Sequence, residues 1–75
     1  MKYIIFDEIF PVIFNEAIAH RDMLVSSMKP TSAGFVSIMS IEGSIYAKAS
    51  GESISLNLSS KKKDSELITR TLLMY

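Results

Sequence analysis

Lys29-Pro30-Thr31-Ser32-Ala33-Gly34 gathers in one short stretch the parts that hold an anion. It offers a cation, two hydroxyls, a flexible glycine and backbone amides. Lys29, Thr31, Ser32 and Gly34 are therefore candidate ligand-binding residues, suited to a phosphate-bearing nucleotide or metabolite. His20, the one imidazole of the chain, joins them as a candidate. The stretch lacks the G-x-x-x-x-G-K-[ST] pattern of a phosphate loop and no clear helix follows it, so it is no nucleotide fingerprint. An ordinary connection between two elements explains the same composition.

Catalytic sets are scarce. A hydrolase triad needs a nucleophile, a base and an orienting group in mutual reach. Serines are plentiful, but no G-x-S-x-G elbow accompanies them, and His20 reads equally as a polar residue near a helix start. Asp7-Glu8 could act as paired carboxylates, yet a solvated turn lacks the burial that shifts their pKa values. Lys61-Lys62-Lys63 reads as a solvated loop preceding a helix, because three cations oppose the dipole at a helix start. No enzyme activity, cofactor or metal is expected. The absence of cysteine and the single histidine exclude the usual four-ligand zinc site.

The 75 residues make one small domain, 1–75. A chain this short buries only about 60% of the surface its unfolded form exposes, and small domains compensate with disulfides, metal or association. Only association is open to a chain without cysteine. A hydrophobic content of 48% supports a homo-oligomer. Eight basic and eight acidic residues leave no excess positive charge to draw a nucleic acid. The apolar run Tyr3-Ile4-Ile5-Phe6 stops at Asp7, short of a signal-peptide core, and no segment approaches the roughly 20 apolar residues that span a bilayer. A cytoplasmic location is expected.

The elements that would position these residues follow from periodicity. Lys2 to Phe6 and Ile9 to Phe14 read as a hairpin turning at Asp7-Glu8, apolar on both faces, with Pro11 placing the second strand at an edge. Asn15 to Met28 predicts a helix with Asn15 as N-cap and Ala17, Leu24 and Met28 on its core side. That helix could equally begin near Ala19, with Glu16 to Ile18 prolonging the strand. Lys29 to Gly34 reads as a loop, and Phe35 to Ile41 as a central strand. Ser44 to Ser59 alternates apolar and polar residues, which predicts a hairpin broken at Gly51-Glu52. Its buried face would carry Ile45, Ala47 and Ala49, then Ile54, Leu56 and Leu58. Its wet face would carry Tyr46 and Lys48 among serines. Asp64 to Tyr75 predicts an amphipathic helix on the stripe Leu67, Ile68, Thr71, Leu72 and Tyr75. The expected fold is α+β: a small antiparallel sheet of about five strands with two helices, in the order ββαβββα.

The apolar N-terminal hairpin, His20, KPTSAGF at 29–35 and GESISLNL at 51–58 together resemble small proteins encoded in bacteriophages and prophages. The resemblance spans most of the chain and departs at Ala19, where relatives would place a Ser or Thr cap. It carries no assigned reaction. It implies a viral accessory protein acting in the host cytoplasm, of the size found among inhibitors of host defence.

Two functions follow. The first is a non-enzymatic protein that binds a host protein or a second copy of itself. Its candidate interface residues are Phe10, Val12, Phe14, Phe35 and Tyr46, and the two-faced apolar strands point to the N-terminal half as the association surface. The second is a binder of a small phosphate-bearing ligand.

Overall fold

The structure, a computed structural model, describes residues 1–74. It is an antiparallel α+β domain. Strands β1 (Lys2–Phe6), β2 (Phe10–Phe14), β3 (Pro30–Ile41) and β4 (Ser44–Ser50) form one sheet in the order β2-β1-β3-β4. Two short strands, β5 (Glu52–Ser53) and β6 (Leu58–Ser59), pair separately, and helix α1 covers Asp64–Leu73. Tyr75, the last member of the predicted helical stripe, lies outside the described residues.

The predicted turn at Asp7-Glu8 forms and Glu42-Gly43 turns β3 into β4, whereas no hairpin joins β4 to residues 53–59 across Gly51-Glu52. Asp7 and Glu8 take positive φ of 52° and 66°, and Glu42 and Gly43 take 51° and 84°. This left-handed backbone matches the twist of the flanking strands. At Asp7 and Glu8 it opposes side-chain sterics, and the start of β3 holds it in place. The Asp7 amide donates to the Lys29 carbonyl at 2.8 Å, and Asp7 Oδ1 accepts the Lys29 amide at 3.0 Å. Thr31 Oγ1 accepts the Glu8 amide at 2.9 Å and donates to the Ile5 carbonyl at 3.1 Å.

Strand β1 is buried from Tyr3 to Phe6. Alternation sends Tyr3 and Ile5 to one face of the sheet, where they pack with Val36, Ala47 and Ile68 of α1. Ile4 and Phe6 go to the other, where they meet Phe14 and Ala33 under Met23, Met28, Leu56 and Leu58. The two-faced apolar character of this strand is thus satisfied within the chain. In the same half, Ile9 and Phe10 stay exposed.

Three predicted elements differ. The helix over 15–28 is absent, and a single 3-10 turn, His20–Met23, stands in its place. The Asn15 side chain accepts the Ala17 amide at 2.8 Å and its carbonyl accepts the Ile18 amide at 3.0 Å, which closes a local turn instead of starting a helix. Leu24, of the predicted stripe, and the adjoining Ile18 and Val25 are exposed, and Met23 and Met28 provide the cover. Secondly, 29–34 is no loop, because β3 begins at Pro30. Pro30 is tolerated as the first residue of a strand, and the small residues that follow allow close approach. A Cβ on Gly34 would stand 2.6 Å from the Ser50 carbonyl oxygen. Thirdly, 53–58 forms no long strand. Ser53 Oγ accepts the Leu56 amide at 3.4 Å, Asn57 takes a φ of 56°, and Ile54 is 88% exposed. Strand β4 pairs with β3 through the Glu42-Gly43 turn.

Helix α1 is fixed at its start and along one side. Tyr3 donates its hydroxyl to Asp64 Oδ2 at 2.5 Å, both residues being buried, and the Lys61 amide donates to the same oxygen at 2.9 Å. Along the helix, Ser65 Oγ accepts the Ala49 amide and Thr69 Oγ1 the Ala47 amide, each at 2.8 Å. Those two amides sit on the outer edge of β4, so the helix hydroxyls close part of an edge that a sheet otherwise leaves open.

Burial first, then the hydrogen bond that Tyr3 donates to Asp64 and the charge of that carboxylate, push the Tyr3 phenol far above its ordinary range, with a lesser opposing effect of Ser60. The folded chain keeps this proton where the unfolded chain loses it. The resulting stability is whole below about pH 10 and falls as pH rises beyond it. Tyr3→Phe, which leaves Asp64 short of a partner, should cost about 1.5–3 kcal/mol in denaturant melts at neutral pH. Between the ordinary tyrosine value and more alkaline pH, the wild type should lose up to about 1.4 kcal/mol per pH unit relative to that variant. Parallel alkaline profiles for the two proteins would contradict the assignment.

Candidate functional site

The candidate ligand residues do not converge. Lys29 is engaged through its backbone with Asp7, and both hydrogen bonds of Thr31 are spent on the first turn and β1. Ser32 and Gly34 are buried within β3. His20 is buried as well. Its Nε2–H donates to the Gly34 carbonyl at 3.0 Å, which fixes the tautomer because a carbonyl only accepts. The ring stands edge-on to Phe14 and Phe35, at centroid distances of 5.4 Å and 6.0 Å. This histidine therefore anchors the 15–29 segment to β3.

Two of the candidates do share a cavity. Thr31 and Ser32 line a space of about 310 Å³ together with Lys61, Lys63, Glu8 and Asp64. The basic run supplies the cations there, and Lys29 does not reach the wall. Two carboxylates oppose the two ammonium groups, so the cavity carries no net preference for an anion. His20 and Phe35 border a different opening, of about 450 Å³, with Lys2, Glu52 and Ile54. Among the described residues, no group of three His, Asp or Glu side chains could hold a metal ion.

The candidate interface residues separate more sharply. Phe14 is 7% exposed and packs on Ile4 and Phe6, so it cannot meet a partner, and Val12 is half-buried against the same cluster. Phe10, Phe35 and Tyr46 are exposed. Phe10 pairs with Phe6 at one end of the sheet, whereas Tyr46 pairs with Met39 toward the other. At about 3.3 Å per residue the two ends lie roughly 30 Å apart. They are not one surface.

The end that carries Tyr46 is an arm. Strand β3 has 12 residues and β1 only 5, and their pairing stops at Lys2 and Phe35. Among the described residues, β3 beyond Val36 has β4 as its only strand neighbour, so residues 37–48 form a two-stranded ribbon. The molecule is correspondingly long, 37 × 22 × 20 Å. Register places Ile38 and Ile45 on one face of the ribbon and Met39, Ile41 and Tyr46 on the other. All five are 41–54% exposed. Ile38, Met39, Ile41 and Ile45 are the surface residues that the sequence reading missed. The available signal was length: a strand more than twice as long as its neighbour must overhang it.

No protein-family model, curated protein or solved structure matches the chain.

Because the candidate ligand residues do not converge, and the side chains of Thr31 and His20 are spent on internal bonds, inorganic pyrophosphate should raise the melting temperature no more than chloride at equal ionic strength. A rise of several degrees that Lys61→Ala or Lys63→Ala removes would establish an anion site in the cavity.

Proposed function

We propose that this chain is a non-enzymatic protein that acts by protein–protein association, with the β3–β4 ribbon as its binding element. One observation carries the reading. The ribbon holds five large apolar side chains 41–54% exposed, on both faces, and of these Tyr46 borders an opening beside Arg70 and Leu73 of α1. Monomers rarely show a contiguous apolar patch above a few hundred Å², and those that do use it. A two-stranded ribbon is also marginal alone, so contact with a partner stabilises the element that makes it. In the phage setting that the sequence resemblance implies, such a protein occupies the surface of a host defence component in the host cytoplasm. No helix among the described residues is long and apolar enough to cross a membrane.

The alternative, a binder of a phosphate-bearing ligand, has in its favour the cavity where Lys61 and Lys63 join Thr31 and Ser32. Glu8 and Asp64 in the same wall weigh against it.

A photo-crosslinking amino acid at Tyr46, expressed in the cell, tests the association reading. A protein adduct of discrete mass is expected there and none from the same group at exposed Arg21. Equal adducts at both positions, or none at Tyr46, would overturn the reading.

A further inference from the structure

The cavity of about 310 Å³ beside the Asp7-Glu8 turn is lined by polar atoms that the fold leaves without partners. Ser32 is 1% exposed and lines it, and among the described residues no hydrogen bond engages its hydroxyl. Asp64 is 3% exposed and lines it too. The bonds that its carboxylate accepts, from the Tyr3 hydroxyl and the Lys61 amide, both end on Oδ2 and leave Oδ1 unused among the described residues. No side-chain oxygen sealed inside the described residues lacks a partner. Ser32 Oγ and Asp64 Oδ1 are therefore the points at which these two buried residues still reach the cavity.

Charges of both signs surround them. Glu8, Lys61 and Lys63 line the same space. None of these three side chains forms an ion pair among the described residues, where the pairs are Met1–Glu16 and Glu66–Arg70. A wall that holds unpaired groups of both signs is complementary to a ligand that carries both signs itself.

We propose that this cavity binds a small zwitterion, a free α-amino acid with an aliphatic side chain. The ammonium group of such a ligand has three protons to donate, and three acceptors stand in the wall: Asp64 Oδ1, Ser32 Oγ and the Glu8 carboxylate. Its carboxylate accepts charge-assisted hydrogen bonds from Lys61 and Lys63. Ile9 and Leu67 give its side chain an apolar wall. Small-molecule sites run from about 300 to 1,000 Å³, so this volume suits an amino acid and is small for a nucleotide. The acidic groups that weigh against a phosphate-bearing ligand are the ones that select this one. The ribbon begins farther along β3, at Ser37, so the site is separate from the proposed association surface.

Amide chemical shifts of the full chain, followed by NMR during titration with L-leucine, test this. The amides of Glu8, Ser32 and Lys61 should shift and saturate, while that of Tyr46 on the ribbon stays in place. Leucinamide lacks the carboxylate and N-acetyl-leucine the ammonium, and each should bind at least about tenfold more weakly. Glu8→Gln and Lys63→Ala, exposed changes whose folding the unshifted β4 amides verify, should each weaken leucine about tenfold. No saturating shift with either L-leucine or L-valine would overturn the proposal. So would N-acetyl-leucine binding as tightly as leucine, or leucine affinity unchanged in both variants. The Tyr46 crosslink reads the association separately, and neither result alters the other.

Discussion

The hydrogen bond between Tyr3 and Asp64 joins two buried groups 61 positions apart, and the remaining structure is arranged around it. A buried carboxylate without partners would cost several kcal/mol, so Asp64 can begin α1 only where its oxygen is met. Tyr3 meets it from the middle of the sheet, the Lys61 amide from the preceding turn, and the positive end of the helix dipole from behind. A helix of ten residues is marginal by itself, and this one takes its stability from where it is seated. Seated there, it delivers Ile68 to the core and Ser65 and Thr69 to the edge of β4. The base of the ribbon is thereby fixed, and the ribbon beyond it projects.

Local chemistry made much of this legible. The Asp7-Glu8 and Glu42-Gly43 turns, the pleat of β4 and the apolar stripe of α1 each follow from neighbouring residues alone. The errors came where side chains compete with the backbone. Asn15 diverts its own amide neighbours into a turn, and Ser53 does the same to a segment whose alternation otherwise reads as strand. The stretch from Pro30 to Gly34 failed differently. Its proline and small residues suggest a loop, but their use is to let β3 run between β1 and the chain leaving β4, where a larger residue than Gly34 would collide. That requirement belongs to the packed molecule and leaves no periodic trace.

The candidate site was legible to the same extent. Alternation reads Tyr46 as a surface residue, the two-faced apolar strand that Phe35 begins reads it as an interface residue, and both are exposed. Phe14 could not be told apart from them, because an inward and an outward phenylalanine look alike until the cover is known. The overhang of β3 depends on the unequal lengths of two strands, and the length of β3 was hidden by the reading of its first residues as loop. A domain with so little interior has covered both faces of β1 completely, leaving its apolar excess at the far end of β3 and β4. The functional reading follows from that division. In the proposed reading the compact part supplies rigidity and the ribbon the contact.

Amide hydrogen exchange along β4 tests the central claim, that the Tyr3–Asp64 bond seats α1 and that α1 closes the sheet edge. The amides of Ala47 and Ala49, although on an outer edge, should be strongly protected. That of Ile45, beyond the two helix hydroxyls, should exchange quickly. In Asp64→Ala, protection at Ala47 and Ala49 should fall before protection at Ile4 does. Exchange at Ala47 and Ala49 as fast as at Ile45 in the wild type would contradict the account.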